Sequence, residues 1–182
     1  MGTTTSSITT RPSNGESPRF RVSSFCLIFR NALRAHADGQ IGMINNAWGG
    51  SACEAWIRRD ILTADEKYKP LIDRWVGMEN QFKELSAVQN PNEEQQKQLN
   101  GLKGQMGGNH RPGNIYNGVL KSHLGYGIKG AIWYQGESNQ KRAFQYQELL
   151  PTMINDWRKQ WTDPFSFYIV QLANFGNGKP VT

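Results

Sequence analysis

The chain has 182 residues, of which 37% are hydrophobic and 20% charged, with six tryptophans; this is enough for one sizeable core, crowded for two, and unlike a disordered chain. The formal net charge of +6 does not point to nucleic acid, because Arg19, Arg30, Arg34, Arg58, Arg74, Arg111 and Arg158 are scattered rather than gathered into a basic block. Cys26 and Cys53 are too few for a disulfide framework and form no C-x-x-C pair, and no apolar run approaches the ~20 residues that span a bilayer.

Residues 1–18 are rich in Thr, Ser, Pro and Gly and are expected to form a mobile leader, with the fold starting near Arg19. They lack the apolar stretch of a signal peptide. Their M-G-x-x-x-[ST] start is a short, common pattern and is read as chance. Val22, Phe25, Cys26, Phe29 and Leu33 recur at helical spacing, and Asp38-Gly39 supplies a stop, so Val22 to Ala37 is expected to be an amphipathic helix. Ile41 to Trp48 is a short apolar run closed by Gly49-Gly50, the pattern of a buried strand entering a tight turn, with a helix expected from about Cys53.

After Asp65, Tyr68, Leu71, Ile72, Trp75, Met78, Phe82 and Leu85 step by three and four residues while the remaining faces are charged. Pro91-Asn92 ends that helix, and Glu93 to Lys103 makes a second, weaker one. Residues 65–103 are therefore expected to form a helical excursion off the sheet. A glycine-rich connection, Gly104 to Gly113, leads to a short helix at Ile115 to Leu124. Gly130 to Gly136 reads as a second buried strand, polar only at its C-terminal end. Phe144 to Trp161 is a helix with Pro151 expected to break it or open its second half, and Phe165 to Leu172 is a third strand.

Strands alternating with helices predict an α/β domain with a parallel sheet, whose ligands bind beyond the C-terminal ends of the strands. Two such ends carry unusual sequence. Gly49-Gly50 leaves backbone N–H groups uncovered and able to meet a developing negative charge, or is an ordinary tight turn. Gln135, followed by Gly136, Glu137, Ser138 and Asn139, is either a hydrogen-bonded corner or a site. The three histidines, His36, His110 and His123, follow no strand end with an aspartate before it, and are read as surface or packing residues. No metal-ligand spacing occurs. Ser138 fails the G-x-S-x-G pattern at Gln140 and is rejected as a nucleophile.

Ile44-Asn45-Asn46-Ala47-Trp48-Gly49-Gly50-Ser51-Ala52-Cys53-Glu54-Ala55-Trp56 resembles the second block of the sialate O-acetylesterase family, a branch of the SGNH (GDSL-like) hydrolases. Gly130-Ala131-Ile132-Trp133-Tyr134-Gln135-Gly136-Glu137-Ser138-Asn139 resembles its third block, and the likeness covers roughly residues 19–176. The resemblance implies a three-layer α/β/α, flavodoxin-like hydrolase, here incomplete over residues 19–182, that removes O-acetyl groups from sialic acid or other acetylated glycans by a serine mechanism without metal or cofactor. It implies oxyanion-hole roles for the backbone N–H of Gly49 and the side chain of Gln135, and supporting or substrate-side roles for Trp48, Gly50, Glu137 and Asn139. Trp133 is a further sugar-lining candidate, with a core position the likelier alternative for a strand tryptophan. The family's G-Q-S-N-M and D-x-x-H blocks, which carry the nucleophile and the Asp/His pair, do not occur here. The expectation is therefore a truncated esterase chain, inactive alone; the alternative is a degenerate member that binds acetylated sugar or a partner. No membrane or nucleic-acid partner is expected, and the sequence assigns no compartment.

Overall fold

The computed structural model describes residues 24–35 and 41–173, so the expected leader at residues 1–18 lies outside the described residues. The chain divides into two compact units, one up to Gly49 and one from Gly50 onward. In the first unit, helix α1 (Ser24–Arg34) falls within the helix read from the Val22 to Ala37 periodicity. The expected strand at Ile41 to Trp48 is not formed: residues 41–48 are irregular, and Ile44 and Trp48 are 49% and 48% exposed. A strand exists only through ladder hydrogen bonds to a neighbour, and the described residues of this unit include no other extended segment.

The second unit begins with a 3-10 turn (Cys53–Trp56) and a short helix, α2 (Arg59–Ala64). Helix α3 (Lys69–Ser86) starts with a proline in its first turn, where the missing N–H costs nothing, and buries Leu71, Ile72 and Trp75. Helix α4 (Glu93–Met106) runs three residues beyond the expected Lys103 and packs against α3. It has little apolar surface, burying only Leu102, so its start depends on a capping box. Asn92 Oδ1 accepts from the Gln95 N–H at 2.8 Å, and Gln95 Oε1 accepts from the Asn92 N–H at 3.0 Å. Helix α5 (Asn114–Gly118) and a 3-10 turn (Leu120–His123) occupy the span expected to be helical.

Strands β1 (Gly130–Trp133) and β2 (Ser166–Ile169) pair in parallel, Gly130 opposite Ser166 and Trp133 opposite Ile169, joined by helix α6 (Ala143–Trp161). This βαβ unit gives the α/β class with a parallel sheet expected of an SGNH-like fold, with two strands in the sheet among the described residues. The core beneath it is aromatic. The Trp133 ring meets Trp56 at 5.6 Å and Trp157 at 5.8 Å, both edge-to-face, and Trp157 Nε1–H donates to Trp56 O at 3.1 Å. Trp133 is thus a core residue, 6% exposed.

Pro151 does not break α6, contrary to expectation. A mid-helix proline removes one N–H and crowds the preceding turn, at a cost of about 3 kcal/mol. Here Leu149, Met153 and Trp157 are buried on either side of it. The Tyr68 hydroxyl also donates to Glu148 O at 2.8 Å and lies 2.7 Å from Thr152 Oγ1, tying together the turns that flank the proline. Tertiary contacts outweigh the local penalty.

Candidate functional site

The two motif blocks are stitched together in the second unit by bonds between residues more than eighty positions apart in sequence. Gly50 has φ +66°, the left-handed region, which leaves its carbonyl free to turn toward other elements. Gly50 O accepts from Ser138 Oγ–H at 2.9 Å and lies 2.7 Å from His110 Nε2. One residue on, Ser51 O accepts from Gln135 Nε2 at 2.8 Å, while Ser51 Oγ accepts from the Trp56 indole at 3.0 Å. The Ala52 N–H donates to Asn109 O at 3.1 Å, and the Cys53 N–H to Asn139 Oδ1 at 2.9 Å.

Asn139 is the hub, 1% exposed. Its Oδ1 accepts from the Cys53 N–H and from Gln135 Nε2, both at 2.9 Å, and its Nδ2 donates to Glu54 Oε2 at 2.9 Å. Glu54 is fully buried and is held on its other oxygen by Arg142 Nη1 at 2.5 Å, with Arg74 Nη2 at 3.9 Å. A carboxylate in such a place requires charge partners and hydrogen bonds to offset its desolvation. These bonds fix the amide orientations. The backbone N–H of Cys53 demands an acceptor, so Oδ1 of Asn139 faces it, Nδ2 faces Glu54, and Gln135 must present Nε2 to both Ser51 O and Asn139 Oδ1.

Both hydrogens of the Gln135 amide are therefore engaged within the protein, and its Oε1 is buried without a partner. To donate to an oxyanion, Gln135 would have to exchange one of these bonds. Gly136 has φ +153°, and a Cβ there would sit 2.7 Å from Leu172 Cδ1, so the turn after β1 requires glycine. Glu137 is exposed at the start of a 3-10 turn, Glu137–Arg142, that carries Ser138 and Asn139 back toward the Gly50–Cys53 segment. The Tyr146 hydroxyl anchors the strand end by donating to Gln135 O at 3.0 Å while accepting from the Trp133 indole at 3.1 Å, and burial pushes it up to about 12. Trp48 and Gly49 belong to the first unit, where Trp48 is half exposed.

A family described as carbohydrate esterase, sialic acid-specific acetylesterase, matches residues 108–182. Sialate O-acetylesterase of Mus musculus is 28% identical over 177 residues, which cover 85% of this chain and 30% of the mouse protein. The Homo sapiens sialate O-acetylesterase is 25% identical over 163 residues, 84% of this chain and 26% of its own length. The Rattus norvegicus protein of the same name is 23% identical over 180 residues, 85% and 30% respectively. No solved structure matches the chain. The chain thus resembles sialate O-acetylesterases along most of its own length and spans about 30% of the mouse relative's length. The matched family is one of carbohydrate esterases, hydrolases of sugar esters. Its match takes in the Gln135 to Asn139 corner and begins after the Gly49-Gly50 turn.

Sequence reasoning passed over four participants: Glu54, Arg142, Arg74 and His110. The missed signal for Glu54 was a single charge inside the otherwise small and apolar run Ala52 to Trp56, where a buried carboxylate obliges an arginine partner. Cys53 is a buried free thiol, raised well above its ordinary range by burial and then by Glu54, and is not a nucleophile candidate. Among the described residues no group of His, Cys, Asp and Glu is arranged to hold a metal ion, and no helix is long and apolar enough to cross a membrane. Ser122 Oγ lies 3.4 Å from His123 Nδ1, but both face Val119 O, and among the described residues no carboxylate orients that imidazole.

Proposed function

We propose that this chain is part of a carbohydrate O-acetylesterase that removes acetyl groups from sialic acid or a similar acetylated sugar by serine hydrolysis. The observation that supports this best is the convergence of the two motif blocks, in which the end of β1 grips the Gly50–Cys53 segment through Gln135, Ser138 and Asn139. A strand-end turn clamped to a neighbouring segment in this way suits acyl transfer, because donors fixed in advance around the ester carbonyl lower the barrier without reorganising during attack. The backbone N–H of Gly49 and the amide of Gln135 are the proposed oxyanion donors. Glu54, Asn139 and Arg142 are positioning residues that hold the corner. The nucleophilic serine and its Asp/His pair are proposed to come from outside this sequence, so the 182-residue chain alone should not turn over an aryl acetate.

The test is acetate release from an O-acetylated sialoside by the full-length protein that contains this sequence, compared with its Gln135→Ala variant. Loss of an oxyanion donor should lower kcat by about 10²- to 10³-fold. A variant that keeps more than about half of kcat refutes the donor role. A loss confined to KM assigns Gln135 to substrate binding instead. Turnover of an aryl acetate, with a burst, by the isolated chain overturns the external nucleophile.

A further inference from the structure

We propose that the cavity between α3, α4 and the Arg142 end of the strand-end corner is the subsite for the carboxylate-bearing ring of an acidic sugar, an inference that rests on the esterase reading and adds a specificity site to it. The cavity holds about 450 Å³, within the size range of small-molecule sites, and His110, Gln105 and Asn109 line it with Arg74 and Arg142. Among the described residues no acidic side chain lines it. Two guanidiniums share the single carboxylate of Glu54: Arg142 takes the close bond at 2.5 Å, leaving Arg74 Nη2 at 3.9 Å and without a hydrogen bond among the described residues. Burial and the facing Arg142 lower the Arg74 guanidinium from its ordinary range, and its side chain, 46% exposed, is accessible to a further anionic partner. Trp75 also lines the cavity, only 3% exposed, and the Arg74 guanidinium lies over its ring at 5.9 Å from the centroid. A carboxylate supplies the missing negative charge, and an oxygen-rich ring supplies acceptors for N–H donors.

The wall opposite is built for close approach. Gly101 and Gly104 lie one turn apart on α4, both line the cavity, and a Cβ at either position would meet nothing within 4 Å. Two glycines inside one helix each cost roughly 0.5–1 kcal/mol relative to alanine, and here they leave room against the backbone for a ring. The cavity also joins the strand-end corner through bonds already described. His110 contacts Gly50 O, and Arg142 reaches Gln135 by way of Glu54 and Asn139. A sugar held by its carboxylate here would lie beside the turns that face the ester.

The test is calorimetric titration of the 182-residue chain with the methyl α-glycoside of N-acetylneuraminic acid and with its C1 methyl ester, which lacks the charge. The free acid should bind at least about tenfold more tightly than the ester, Arg74→Gln should erase that preference, and Arg74→Lys should restore part of it. Gly104→Leu, which fills open space and favours the helix, should weaken both ligands, while Arg58→Gln, which lines a different pocket and pairs with Asp60, should leave both unchanged. Equal binding of acid and ester, no binding of either, or an acid preference that survives Arg74→Gln overturns the subsite. Each of those results leaves the esterase reading to its own assay. Conversely, a full-length protein that releases no acetate from any O-acetyl sugar sinks that reading while an acid preference in the isolated chain stands.

Discussion

Asn139→Ala should be the most damaging single change in the corner, because one side chain satisfies groups on three segments. It removes the bonds to the Cys53 N–H, to Gln135 Nε2 and to Glu54 Oε2, each 2.9 Å long. The two neutral bonds are worth about 1 kcal/mol each and the one to the carboxylate about 1.5–3 kcal/mol. Stranding groups around a residue that is 1% exposed beside a Glu54 that is 0% exposed adds to the cost. A loss of roughly 4–5 kcal/mol is expected, a large part of the ~5–15 kcal/mol that a domain has in total. Urea unfolding followed by tryptophan fluorescence reads it directly, since Trp56 and Trp133 flank the corner. Asn139→Asp gives a sharper comparison: it keeps the acceptor for Cys53 but turns a second carboxylate toward Glu54. Its penalty should be larger at pH 7 and should shrink as the solution is made acidic, because a second carboxylate facing Glu54 favours protonation of the introduced aspartate. A loss of less than about 1 kcal/mol for the alanine variant, or an aspartate variant whose stability ignores pH, would refute the hub.

Two further changes test the packing around the site. Asp156 is 3% exposed, its Oδ2 has no partner, and burial raises its carboxyl above the ordinary value despite Arg58. With a folded value above the unfolded one, its penalty is absent below the unfolded value and grows as pH rises through the folded one. Asp156→Asn should therefore stabilise the protein at pH 7 and show no gain near pH 3; pH-dependent thermal unfolding checks this, and a destabilised variant at pH 7 contradicts it. Gly136→Ala should cost about 1–3 kcal/mol in unfolding free energy, from a φ of +153° and a Cβ placed 2.7 Å from Leu172 Cδ1; a variant within about 0.5 kcal/mol of the parent would show that the turn relaxes freely.

By itself the sequence determined what depends on local period and on long motifs. The three- and four-residue steps of apolar side chains over α3 and the runs that became β1 and β2 identify themselves, because a helix face or a buried strand must repeat with its own geometry. The two motif blocks also sufficed for the resemblance to sialate O-acetylesterases. Tertiary structure decided the rest. Ile41 to Trp48 has the composition of a strand, but a strand needs a neighbour to pair with, and composition cannot supply one. Pro151 carries a local penalty that the buried faces of Leu149, Met153 and Trp157 overcome. The corner itself was half legible: Gln135 and Asn139 stood out as polar residues at a strand's end, while their partners Ser51, Cys53 and Glu54 lie more than eighty residues earlier and are joined to them only by folding. Which amide hydrogens remain available, and which arginine is left without a close partner, are properties of that three-dimensional accounting, because every buried donor must find its acceptor wherever the chain brings one within reach.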